Sequence, residues 1–82
     1  MRTLTNRRAL VVGLGRSGVS AARFLAARGA KVSATDAKTE ASLGTVPEEL
    51  RVLGVELRLG TPEPGWFLEH DLIIVSPGVP WD

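Results

Sequence analysis

The 82-residue chain contains no cysteine, which excludes a disulfide framework and a thiolate metal site and fits a reducing compartment. It has one histidine, His70, beside Asp71. A lone histidine ahead of an apolar strand reads as a surface residue rather than a catalyst, because catalysis needs a positioned partner and an oxyanion site. Neither sign of charge dominates: ten Lys and Arg stand against nine Asp and Glu, a net charge of +1. No broad electrostatic footprint for nucleic acid is therefore present. No stretch approaches the roughly 18–20 apolar residues of a membrane-spanning helix. Arg2, Arg7 and Arg8 precede the apolar run Ala9–Val12, but Gly13, Gly15 and Arg16 cut that run too soon for the apolar region of a signal peptide. Paired carboxylates, a nucleophile–base pair and metal-ligand spacing are all lacking, so no catalytic residue and no metal ligand is assigned. A cytoplasmic domain with neither nucleic acid nor membrane as partner is expected.

What is present is enough for one small domain spanning 1–82. The hydrophobic content of 44% supplies a core, although a chain of this size buries only about 60–65% of its unfolded surface. Ala9–Val12 is short and wholly apolar, as suits a parallel strand buried on both faces. From Ser17 to Arg28 the composition is helical, and Gly18, Ala22 and Leu25 recur at i, i+4 and i+7, a narrow face able to lie close on a sheet. Lys31–Thr35 is a second strand. Thr45-Val46-Pro47-Glu48 has the spacing of a capping box and predicts a short helix through about Val52. Val55–Leu59 alternates apolar and charged residues, as a strand near a sheet edge does. Trp66-Phe67-Leu68 reads as one helical turn beneath the turn-rich loop Gly60–Gly65, with Trp66 and Phe67 capping the bottom of the core, and Leu72–Val75 as a further apolar strand. The alternation predicts an α/β fold: a Rossmann-like parallel sheet of about four strands, order 3-2-1-4, with flanking helices. That order sets the first strand beside the fourth at the switch point, where ligands enter open α/β sheets.

Gly13-Leu14-Gly15-Arg16-Ser17-Gly18 is a complete G-x-G-x-x-G, with a strand before it, a helix after it and Asp36 roughly 20 residues on. Gly13 permits the sharp turn off the strand. Gly15 lets main-chain N–H groups approach a phosphate, and Gly18 allows helix and strand to pack closely. The unpaired amides of the first helical turn attract an anion. Ser17 adds a hydroxyl, Arg16 can reach a phosphate, and Asp36 can accept from a ribose hydroxyl or a base N–H. Three readings stay open on these residues alone: a nicotinamide-nucleotide module, in which Asp36 takes a ribose hydroxyl, a site for another nucleotide, and a non-binding βαβ unit whose glycines serve only tight packing, with Asp36 a solvated turn residue.

The stretch Val11–Ser20, then Thr35-Asp36, then Leu72-Ile73-Ile74-Val75-Ser76-Pro77-Gly78-Val79-Pro80 resembles the amino-terminal domain of the Mur ligases, in particular their D-glutamate-adding members, over essentially the whole chain. The resemblance implies a domain that binds the UDP part of UDP-N-acetylmuramoyl-L-alanine rather than NAD. It implies that Gly15, Arg16 and Ser17 hold the pyrophosphate, that Asp36, Ala37 and Lys38 meet the uracil, and that Ser76, Pro77 and Gly78 line the uridine pocket from the other side. Members of the family often carry a hydroxyl-bearing residue and an arginine after the aspartate; Ala37 and Lys38 stand here instead, leaving main-chain contacts. In the family, ATP and Mg belong to a central domain with a P-loop, and a carboxyl-terminal domain receives the amino acid. Gly13–Gly18 contains no lysine to serve a P-loop, so no cofactor is expected in this chain. Against the family's pattern the chain stops before the last helix and strand of this domain. The expectation is a piece of a longer ATP-dependent amide ligase that holds UDP weakly and catalyses nothing.

Overall fold

The structure, a computed structural model, describes residues 4–60 and 62–76. Four strands, β1 (Arg8–Val12), β2 (Lys31–Asp36), β3 (Glu56–Leu59) and β4 (Leu72–Val75), form one sheet of order β3-β2-β1-β4. All three pairings are parallel. Helix α1 (Arg16–Ala27) joins β1 to β2, α2 (Val46–Val52) joins β2 to β3, and the single turn α3 (Pro64–Phe67) precedes β4. This is the predicted Rossmann-like order, with β1 and β4 adjacent at the switch point.

The core follows from strand alternation. Ala9 and Val11 of β1, with Val32 and Ala34 of β2, form one buried face, and Ala22 and Leu25 of α1 and Leu50 of α2 pack on it. The buried residues of α1 are Gly18, Ala22 and Leu25, the face expected from their spacing, while Phe24 on the opposite side is 52% exposed. Leu50 is fully buried; burying such a side chain contributes roughly 1.5–3 kcal/mol. The ion pairs Arg23–Glu49 at 2.6 Å, which ties α1 to α2, and Arg51–Glu40 at 2.7 Å are exposed, and solvent screening leaves such pairs little part in stability. Packing, not charge, holds the helices to the sheet.

The other face carries Leu10, Ser33 and Thr35, all buried. Trp66 lies on this side. Its ring meets the Arg58 guanidinium at 4.7 Å, and Arg58 alternates with Leu57 and Leu59, which pack toward α1 and α2. Burial of Trp66 matches its expected place at the bottom of the core, but the helical turn is Pro64–Phe67 rather than Trp66–Leu68, and Leu68 is exposed.

Three further local expectations change. Helix α1 begins one residue earlier, at Arg16, and Arg28 is its C-cap rather than part of its last turn; the Arg28 guanidinium stacks over Phe24 at 4.6 Å. The capping box at Thr45 does not form. Thr45 already has right-handed helical dihedrals, so its hydroxyl turns along the helix and donates to Glu49 Oε2 at 2.8 Å. His70 is half-buried rather than a surface residue: its ring packs edge-on against Trp66 at 5.1 Å, and its Nδ1 is buried with no hydrogen-bond partner. As the predicted order implies, β4 shares the apolar composition of β1 but not its burial. It is an edge strand, and Leu72, Ile73 and Val75 are exposed.

Candidate functional site

Parallel register brings the carboxyl ends of three strands to one level. Val12 pairs with Thr35 on one side and with Val75 on the other. The next residues are Gly13 after β1, Asp36 at the end of β2, and Ser76 after β4. Main-chain bonds extend the ladders one step further: Gly13 N–H donates to Thr35 O at 2.8 Å, and Ser76 N–H to Val12 O at 2.8 Å. The glycine loop therefore stands between Asp36 and Ser76 at the crevice where the strand order reverses.

The three glycines of the loop have different physical reasons. Gly13 has φ +95°, a left-handed conformation that side-chain-bearing residues rarely adopt. Gly18 is a contact: a methyl placed on it would lie 1.8 Å from the Gly13 carbonyl oxygen and 3.5 Å from Ser76 Cβ. The same placement sets Ser76, which is buried, beside Gly18 in the first turn of α1. Gly15 is required by neither. Its dihedrals, φ −75° and ψ −173°, are open to any residue, and a methyl there would meet nothing within 4 Å. Its missing side chain leaves an open approach to the start of α1.

That start is bare. The amides of Gly15, Arg16 and Ser17 donate to no acceptor among the described residues, and no side chain caps the helix. The first turn holds no acidic residue. It holds Arg16, exposed and without a carboxylate partner among the described residues. A cation there opposes the helix dipole by about 0.3–1 kcal/mol unless an anion is near. The chemistry of the arrangement is anion binding by main-chain N–H groups.

Asp36 is half-buried and doubly engaged. Its Oδ2 accepts from Leu14 N–H at 2.7 Å and its Oδ1 from Lys38 N–H at 2.9 Å. The Lys38 amide is thus taken by the aspartate, while Ala37 and Lys38 are exposed. Pro77 and Gly78, expected on the uridine side, lie outside the described residues. Leu14 was not singled out from sequence. Its side chain is buried in the core while its amide meets Asp36. The apolar residue between the first two glycines was the one available sign.

The opposite end of the sheet holds a pocket of about 410 Å³ whose lining includes Arg8, Lys31, Trp66 and His70. Asp71 joins the starts of β1 and β4: its Oδ2 accepts from Arg8 N–H at 2.9 Å, and its own N–H donates to Arg8 O at 2.7 Å. The first of these bonds holds the Asp71 carboxyl below its ordinary range, against a smaller opposing effect of desolvation. Among the described residues, no three His, Cys, Asp or Glu side chains are grouped to hold a metal ion, and no helix is long and apolar enough to cross a membrane.

Sheet order and loop define the class: an open parallel α/β domain with a Rossmann-like strand–glycine turn–helix at its switch point. Residues 7–82 match the family model described as Mur ligase MurD-like, N-terminal domain, and the chain belongs to that family. It is 54% identical over 79 residues to the UDP-N-acetylmuramoylalanine–D-glutamate ligase of Geotalea uraniireducens, a match covering 96% of this chain and 17% of that protein. It is 52% identical over 75 residues to the ligase of the same name from Desulfosudis oleivorans, covering 92% of this chain and 16% of that protein. With the Myxococcus xanthus protein of that name it shares 46% over 77 residues, 94% of this chain and 17% of the other. The chain thus spans about one sixth of the length of these curated relatives.

Proposed function

We propose that this domain binds the UDP moiety of UDP-N-acetylmuramoyl-L-alanine, as the amino-terminal domain of an ATP-dependent, D-glutamate-adding ligase of cytoplasmic peptidoglycan-precursor synthesis. The observation that carries the reading is Gly15. It has no conformational or packing reason to be glycine, and it opens the bare amides of α1 to the crevice. The family supplies the ligand class, since the relatives are named for a UDP-linked substrate. In this reading Gly15, Arg16 and Ser17 hold the diphosphate, with Gly13 and Gly18 shaping the loop. Asp36, Ala37 and Lys38 border the uridine on the β2 side, and Ser76, Pro77 and Gly78 on the β4 side. The chain performs no bond-making step; catalysis, with ATP and Mg, belongs to the central and carboxyl-terminal domains of such a ligase.

Titration of isotope-labelled chain with UDP, UDP-N-acetylmuramoyl-L-alanine and NAD, followed by amide shifts, tests this. The uridine ligands are expected to move Gly15, Ser17 and Asp36 at lower concentration than NAD. Tighter binding of NAD than of either uridine ligand would transfer the site to the nicotinamide-nucleotide reading.

A further inference from the structure

We infer that Asp36 is a positioning residue for the diphosphate, acting through the glycine loop; the inference rests on the UDP reading above. Its carboxylate bridges two connections that are distant in the chain, taking Leu14 N–H of the glycine loop on Oδ2 and Lys38 N–H after β2 on Oδ1. The preceding amide, Gly13 N–H, is held by Thr35 O at 2.8 Å. Two consecutive amides of the loop are thus tied to the last two residues of β2, one by a neutral carbonyl and one by an ionisable carboxylate. A bond to an ionised carboxylate is the stronger kind, roughly twice a neutral one.

Two consequences follow from this geometry. The Leu14 peptide is anchored at both ends, by the buried Leu14 side chain and by its amide, and its orientation sets where the next amides, Gly15, Arg16 and Ser17, point. Leu14 N–H itself is withdrawn from the anion. A carboxylate offers about four acceptor positions, so two remain for a donor on the ligand, and positioning and contact are compatible. They are separable because they act on different parts of a nucleotide. Direct contact with uridine weakens UDP and uridine alike. Loss of loop positioning weakens only the ligand that carries phosphates. Simple charge repulsion predicts a third result, since removing a carboxylate near a diphosphate would tighten it.

The test compares Asp36→Ala and Asp36→Asn with the unaltered chain, measuring affinities for uridine and UDP and hydrogen exchange of the Leu14 amide without ligand. Asp36→Ala is expected to lower the preference for UDP over uridine by about tenfold, the equivalent of one charge-assisted hydrogen bond, and to speed Leu14 exchange. Asp36→Asn keeps one neutral carbonyl oxygen for Leu14 N–H, while its NH2 cannot accept from Lys38 N–H, and is expected to restore part of both. An unchanged or increased preference for UDP in Asp36→Ala overturns the inference. If the unaltered chain binds neither ligand, the UDP reading fails, and with it the diphosphate role; the Leu14 exchange then still reports whether the carboxylate holds the loop. Should Asp36→Ala fail to fold, fast exchange of Leu14 in the folded unaltered chain overturns the latch directly.

Discussion

Replacing Gly18 by alanine tests the closest contact of the fold. The added methyl carbon would stand 1.8 Å from the Gly13 carbonyl oxygen and 2.9 Å from its carbon. Both partners are main chain, so no rotamer change relieves the overlap. Either α1 lifts from the sheet by more than an ångström or the Gly13 turn is rebuilt. Lifting α1 loosens Ala22 and Leu25 from Ala9, Val11, Val32 and Ala34. Overpacking of this kind costs about 1–3 kcal/mol, and a rigid backbone partner places it at the upper end. The better helix propensity of alanine offsets up to about 1 kcal/mol. A net loss of roughly 2 kcal/mol remains, which in a domain this small lowers the melting temperature by about 8–16 °C. Thermal unfolding followed by circular dichroism reads it directly. A melting temperature within about 2 °C of the unaltered chain would refute the close-contact reasoning, because 1 kcal/mol alone shifts it by more.

Gly15→Ala is the counterpart in the same loop. Nothing lies within 4 Å of the added carbon, so only the poorer N-cap preference of alanine acts, about 1 kcal/mol. UDP affinity is nevertheless expected to fall about tenfold or more by calorimetry, and retained affinity would remove Gly15 from the site. Asp71→Asn addresses acid stability. The folded carboxyl titrates below its ordinary value of 3.8, so its contribution is complete above that value and is lost as pH falls through the lower, folded one. Denaturant midpoints across the acid range should depend less on pH in the variant. Some slope remains, because the Arg51 hydrogen bond likewise lowers Glu40. An unchanged slope would mean the Arg8–Asp71 bond does not couple to folding.

Much of the fold is legible in local pattern because its causes are local. The apolar run before Gly13, the i, i+4, i+7 spacing of Gly18, Ala22 and Leu25, and the alternation in Val55–Leu59 each state a burial face within one element. The glycine loop is legible for the same reason: a left-handed turn at Gly13 and a close approach at Gly18 are requirements on single residues. The alternation of strand and helix then restricts the sheet to parallel pairing and few orders.

Other features are not stated by residue type and spacing alone. Ala9–Val12 and Leu72–Val75 read alike as apolar strands, yet β1 is buried between two neighbours and β4 lies at an edge. Thr45 has the sequence of a cap, but the helical backbone at its own position turns the hydroxyl to Glu49. His70 looked like a surface residue until Trp66 was brought against it. Asp36 was legible as the acid of the fingerprint, while its engagement with Leu14, 22 residues earlier, was not. Periodicity and glycine placement are properties of a segment, and the chain carries them wherever it goes. The burial of β1 and the bond between Asp36 and Leu14 belong to pairs of segments, and they came into being only when parallel register set the ends of β1, β2 and β4 side by side.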